Sequence, residues 1–192
     1  KLVGVIAHKD SNVEDPTIND LEEIGTVARI IKLIKMPDGG TTVIIQGRKR
    51  FQMGAITSED PYFKAQIILL EDEEAPKADD FEAYVSIKEL AGQIVQLSPN
   101  IPTEASIILK NIENPSFLIH FVSSNLNTDL AEKQQLLRLN NLQARADLLM
   151  KLLQRELQFA ELKNKVTNKT KTEIDSRIKR FIIRQFRSLT KM

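Results

Sequence analysis

The stretch Ile24–Phe51, IGTVARIIKLIKMPDGGTTVIIQGRKRF, constrains the fold more than any other. Residues from Ile24 to Met36 are largely β-branched or aliphatic, which suits a pleated, half-buried strand. Pro37-Asp38-Gly39-Gly40 then interrupts the run. Proline presets φ for a turn, aspartate bonds its own backbone, and glycine accepts positive φ. Thr41–Ile45 resumes as a second β-branched run, so the stretch predicts one long β-hairpin. Gly47 inside the returning strand predicts a bulge or a close backbone approach.

Shorter elements flank the hairpin. Leu2–Ala7 (LVGVIA) predicts a buried strand, and His8–Asp20 a polar loop. Phe51–Ile56 continues the returning strand, Glu59-Asp60-Pro61 turns, and Tyr62–Leu70 (YFKAQIILL) forms the next strand. Residues 1–70 therefore read as a β-rich lobe. Residues 71–80 (EDEEAPKADD) carry six carboxylates around Pro76 and read as an acidic linker. They lack the spacing and central glycine of an EF-hand, so no metal ligand is assigned there.

Beyond the linker the apolar period changes from two to near 3.6. Phe81, Tyr84, Val85, Lys88, Ala91, Ile94 and Val95 fall on one helical face, which Ser98-Pro99-Asn100 ends. Thr103 is expected to cap a short helix through Leu109. Asn114-Pro115 starts another, with asparagine at the cap and proline in the first turn. A further helix runs from Asp129 to Leu139, capped by Thr128 or Asp129; Asn140-Asn141 breaks it and is expected to cap the next. Residues 81–139 form the helical lobe. Residues 140–192 then form one long helix, in which Leu142, Ala146, Leu149, Leu153, Leu157 and Ala160 build an apolar seam. Past Leu162 the seam thins, which predicts a helix that projects from its domain.

Charge is uneven along the chain. From Lys163 onward ten basic residues face two acidic ones, a net of +8 against −7 for everything before. The basic helix around Arg177, Arg180, Arg184 and Arg187 could meet DNA or another polyanion, or a neighbouring module. Arg48-Lys49-Arg50 is a second, smaller cluster, expected to guard a solvated strand edge. The chain has no cysteine, which excludes disulfides and thiol catalysis and fits a cytoplasmic protein. No run approaches the roughly 18 apolar residues of a membrane span, so no membrane partner is expected. Lys1 opens directly on an apolar run, and a piece of a longer protein is expected.

Several ordered stretches resemble the N-terminal domain of the ATP-dependent Lon protease family. They are Leu2–His8, Asp15-Pro16, Asn19-Asp20-Leu21, Gly25-Thr26-Val27-Ala28, Pro37-Asp38-Gly39, Val43–Gly47, Arg50-Phe51, Ile101–Glu104, Asn114-Pro115 and Asp129–Gln134. Ser176–Met192 departs from the family's glutamine- and glutamate-rich pattern. The resemblance implies an α+β fold: a β-rich PUA-like lobe whose first strand is missing, a helical bundle lobe and a long projecting C-terminal helix. It also implies a homo-hexameric parent, in which ATP and Mg would bind outside this segment.

Catalytic chemistry is not legible here. There is no GxxxxGK[ST], GxGxxG or GxSxG, and His8 and His120 stand alone. No catalytic, cofactor or metal residue is therefore assigned. The resemblance implies recognition and delivery of unfolded or degron-bearing proteins, and aid to hexamer assembly. Such recognition needs accessible apolar surface. The candidates are Met36, Pro37, Phe51, Met53, Tyr62, Phe63, Leu157, Phe159 and Leu162. Leu149, Leu153, Leu157, Ala160 and Val166 are the candidate assembly seam.

Overall fold

A computed structural model describes residues 1–10, 12–14, 16–71, 81–98, 101–102 and 104–189, with side chains through Thr167. The acidic segment 72–80, Pro99-Asn100, the Thr103 cap and the side chains of the basic tail lie outside the described residues. The strands are β1 (Leu2–Val5), β2 (Ile24–Lys35), β3 (Thr41–Ser58) and β4 (Lys64–Leu70). The helices are α1 (Glu82–Leu97), α2 (Glu104–Asn111), α3 (Pro115–Asn125), α4 (Leu130–Arg138) and α5 (Leu142–Leu189). The fold is α+β, with one antiparallel sheet in the order β1-β2-β3-β4. The chain divides into two compact units.

Lys1–Ala75 and Thr128–Arg145 make the first unit. The predicted turn closes its hairpin. The Gly39 amide donates to the Met36 carbonyl at 3.1 Å and the Met36 amide to the Gly40 carbonyl at 2.8 Å. Asp38 Oδ1 accepts from the Gly40 amide at 2.9 Å, and Gly39 sits at φ 87°. The bulge expected near Gly47 is present: Val27 faces Lys49 while Ala28 faces Gly47, which leaves Arg48 as the extra residue. A second irregularity leaves Ile31 extra on β2.

The sheet is held at the end of the hairpin away from its turn. Phe51 is 4% exposed, and its ring lies over two glycines on neighbouring strands. A Cβ at Gly25 would stand 2.6 Å from Phe51 Cζ and 2.5 Å from the Val5 carbonyl oxygen. A Cβ at Gly4 would stand 3.3 Å from the same ring. The slot thus exists because both positions lack side chains. Burying the ring contributes about 2–3 kcal/mol by apolar area. β1, expected as a buried strand through Ala7, is instead a four-residue edge strand with Leu2 and Val5 exposed. Among the described residues it pairs with β2 alone and forms the edge of the sheet.

Helix α4 covers the sheet face opposite Phe51, where Ile24 and Ala28 are buried. Gln134 Nε2 donates to the Ile24 carbonyl at 3.3 Å, and Arg138 pairs with Glu22. Thr128–Arg145 therefore groups with the sheet, whereas the expected helical lobe ran from 81 to 139. Periodicity shows that a helix has an apolar face and not which element that face meets.

Pro76–Asn127 and Ala146–Met192 make the second unit. On α1 the buried residues are Ala83, Tyr84, Ile87, Ala91 and Ile94; Val85, expected on that face, is exposed. Tyr84 Oη donates to the Ile112 carbonyl at 2.5 Å and Lys88 Nζ to the same oxygen at 2.9 Å. They satisfy backbone just past the end of α2, where a helix leaves carbonyls unpaired. Asn114 caps α3 as expected, accepting from the Phe117 amide at 2.8 Å. Leu118, Ile119, Val122, Ala146, Leu149, Leu152 and Leu153 complete the core. At 48 residues, α5 spans roughly 72 Å at the usual rise per residue.

Candidate functional site

The hairpin arms are longer than the strands beside them. β2 has 12 residues and β3 has 18, against four in β1 and seven in β4. β1 pairs with Thr26–Arg29, and its ladder ends where the Ile30 amide donates to the Lys1 carbonyl at 2.9 Å. β4 pairs with β3 only from Arg50 to Ser58. From Ile31 through the turn to Ile45 the hairpin is therefore a two-stranded ribbon among the described residues, and from Gln46 to Lys49 β3 still has no partner on its outer side there.

That ribbon is apolar and exposed. Leu33 pairs with Val43, and Ile30 with Ile45, so these residues continue the face that α4 covers nearer the base. Leu33 is 60% exposed, and Ile31, Val43, Ile44 and Ile45 are also exposed. Soluble proteins rarely leave contiguous apolar surface uncovered without a binding role. The surrounding charge is basic: Arg29, Lys32, Lys35, Arg48 and Lys49 are exposed, with Asp38 at the turn. β4 adds Ile67, Ile68 and Leu69, all exposed.

The expected recognition residues scatter. Met36 and Pro37 lie exposed at the hairpin tip, and Tyr62 and Phe63 are exposed just before β4. Lys64 Nζ stands 5.0 Å from the Tyr62 ring centroid, in a cation–π arrangement. Met53 is half-buried. Phe51 must be corrected: it fills the glycine slot and offers no surface. On α5, Phe159 and Leu162 are exposed and Leu157 is half-buried. These α5 residues lie in the second unit, and the hairpin lies in the first.

The assembly seam also divides. Leu149 and Leu153 are core residues of the second unit, which removes them from any assembly surface. Leu157 and Ala160 are half-buried and Val166 is exposed. The most exposed members of the apolar ribbon, Leu33 and Ile31, were not singled out as candidates, because β-branched strands read as core. The signal that locates them is the mismatch in strand length: arms of 12 and 18 residues must outrun neighbours of four and seven.

A polar corner anchors the base of the ribbon. Arg50 is buried, not part of a solvated guard as expected for Arg48-Lys49-Arg50. Its Nη1 donates to the carbonyls of Leu137 at 2.8 Å and Leu139 at 3.0 Å, and to Asn140 Oδ1 at 3.2 Å. Arg145, also buried, donates from Nε to the Leu139 carbonyl at 3.0 Å. Two guanidinium groups thus converge on the C-terminal end of α4, where carbonyls lack helical partners and the helix dipole favours cations. Asn141 Oδ1 accepts from the Ala144 amide at 2.9 Å and caps α5. Beside this corner, Glu23, Ile24, Gln52, Leu70, Arg138 and Asn140 line an open cleft of about 350 Å³. Among the described residues no cluster of three or more His, Asp or Glu could hold a metal ion, and no helix is long and apolar enough to cross a membrane.

A family profile for the ATP-dependent protease La (LON) substrate-binding domain matches residues 1–155. The chain belongs to the Lon substrate-binding domain family. It is 45% identical over 187 residues to a Lon protease of Flavobacterium johnsoniae, covering 96% of this chain and 23% of that protein. It is 40% identical over 184 residues to one of Chloroherpeton thalassium, covering 95% and 22%. The chain thus spans under a quarter of these Lon proteases. Its fold resembles the N-terminal domain of a Mycobacterium avium complex Lon protease, with a TM-score of 0.61 at 18% identity over 80% of this chain and 90% of that one. A Lon N-terminal domain protein from Xanthomonas campestris matches with a TM-score of 0.50 at 14% identity, covering 79% and 89%.

Proposed function

We propose that this Lon substrate-binding domain recognises unfolded or degron-bearing polypeptides through exposed apolar surface and delivers them to the ATPase and protease modules of a Lon protease. The observation that carries the reading is the uncovered apolar ribbon between Ile31 and Ile45. An unfolded chain differs from a folded one in the apolar segments it exposes, and an open apolar face distinguishes the two without reading a sequence. The exposed stretch of α5 around Phe159, Leu162 and Val166 supports a second role, helix contact between subunits of a hexamer.

The test is binding of fluorescently labelled, permanently unfolded α-lactalbumin (reduced and carboxymethylated), with native α-lactalbumin as control, across a salt series. Preferential binding of the unfolded form that persists in high salt is expected. Binding of both forms that collapses with salt would overturn the reading and favour a polyanion partner, since phosphate contacts weaken steeply with salt.

A further inference from the structure

We propose that the outer edge of β3 between Thr41 and Gln46 accepts an extended apolar polypeptide segment with acidic flanks, held as an added strand. The proposal rests on the substrate-recognition reading and specifies how the substrate is held.

The edge is open by topology. Thr41–Ile45 pair with β2 on one side, and β4 joins β3 only from Arg50 onward, so nothing among the described residues pairs with the other side. An antiparallel strand presents N–H and C=O groups alternately to each side, so this edge offers unpaired donors and acceptors. Natural sheets guard such edges with lysine, proline, bulges or shortness. Thr41-Thr42-Val43-Ile44-Ile45-Gln46 has none of these: it is uncharged, four of its residues after Thr41 are β-branched, and all six are exposed. The other edge of the same ribbon is guarded, by Lys32, Lys35 and the irregularity at Ile31. Guarding one edge and leaving the other bare is the pattern of a site for strand addition.

Strand addition draws its affinity from main-chain hydrogen bonds and only its preference from side chains. It therefore suits a partner defined by being unfolded, because a folded protein has few extended segments free to pair. Six residues offer about 20 Å of edge. The margins are basic. Lys35 stands opposite Thr41 at the turn end, and Arg48 follows Gln46 at the other, ahead of Lys49, whose Nζ stands 3.8 Å from Glu71 Oε1. The segment that fits carries apolar or β-branched residues at its centre and carboxylates at both ends.

The test titrates the 192-residue chain into a fluorescein-labelled peptide with a six-residue valine, threonine and isoleucine core between glutamate pairs. A second peptide is N-methylated at two adjacent central residues, which removes one donor from each of its own edges and keeps every side chain. A third carries lysine flanks. The N-methylated peptide is expected to bind about tenfold more weakly. The lysine-flanked peptide should also bind more weakly, by a margin that closes in high salt. Ile44→Lys in the protein, which sets a guarding charge on the edge, should weaken binding with Tm unchanged. Equal binding of the methylated and unmethylated peptides would overturn the proposal and leave apolar recognition standing. So would failure of every peptide while unfolded α-lactalbumin still binds. If no peptide binds and the chain instead dimerises in a way that Ile44→Lys prevents, the edge pairs with a second copy and the proposal fails.

Discussion

Between Ile24 and Arg29 the first hairpin strand lies under α4 and beside β1; between Ile31 and Lys35 the same strand pairs, among the described residues, with β3 alone. Both halves are aliphatic and share one hydrogen-bonded ladder. In the base half Ile24 and Ala28 are buried, as are Arg50 and Phe51 across the ladder on β3, and removing any of these side chains should cost stability. In the outer half, equally apolar residues touch solvent. The contrast teaches that a β-branched run reports a strand, whereas the lengths of neighbouring strands decide how much of it is core.

The base half should respond most strongly to substitution. Phe51→Ala empties the glycine slot and is expected to cost about 3–5 kcal/mol in denaturant unfolding. Gly25→Val should cost about 3 kcal/mol from the other side, by forcing a side chain into the Val5 carbonyl and the Phe51 ring. If Gly25→Val were neutral, the slot would not be what holds the base together. Arg50→Ala leaves the Leu137 carbonyl without its guanidinium partner and the Leu139 carbonyl with Arg145 alone, and should cost about 2–3 kcal/mol. Asp129→Ala, which removes the cap of α4 while keeping its packing, should cost about 1 kcal/mol.

A weaker prediction concerns pH. Asp20 is held below the ordinary carboxylate value by hydrogen bonds from the Thr17 hydroxyl and the Thr17 amide, with smaller contributions from Lys9 and His8. A depressed carboxylate stabilises the fold above its unfolded pKa, and that contribution is lost as pH falls through the folded value. Asp20→Asn should therefore lower stability slightly at neutral pH, leave it nearly unchanged in acid, and so flatten the acid limb of the stability curve. Smallest of all, Leu33→Ser, Val43→Thr and Ile45→Thr should each shift stability by no more than about 0.5 kcal/mol, because their side chains are already wet.

Much of this architecture was readable from residue type. The Pro37–Gly40 turn, the bulge at Gly47 and the caps at Asn114, Asp129 and Asn141 follow from local chemistry that tertiary structure does not alter. Three features were not readable. Phe51 resembles any aromatic on a strand until the two glycines that make room for it are placed on adjacent strands. Arg50 reads as surface charge until the end of α4 is brought to it from 87 residues away. The allegiance of α4 to the sheet is likewise a fact about neighbours. Of the recognition candidates, the hairpin tip and the residues before β4 are exposed, but the apolar ribbon itself was concealed by looking like core.

The most direct test pairs stability with binding in one variant, Leu33→Ser/Val43→Thr/Ile45→Thr. The same preparation would be measured for Tm and for affinity toward reduced, carboxymethylated α-lactalbumin. The account predicts a Tm near that of the unsubstituted chain and at least tenfold weaker binding. A fall in Tm like that of Phe51→Ala, or unchanged binding at unchanged Tm, would contradict it: the first would make the ribbon part of the core, and the second would place recognition elsewhere.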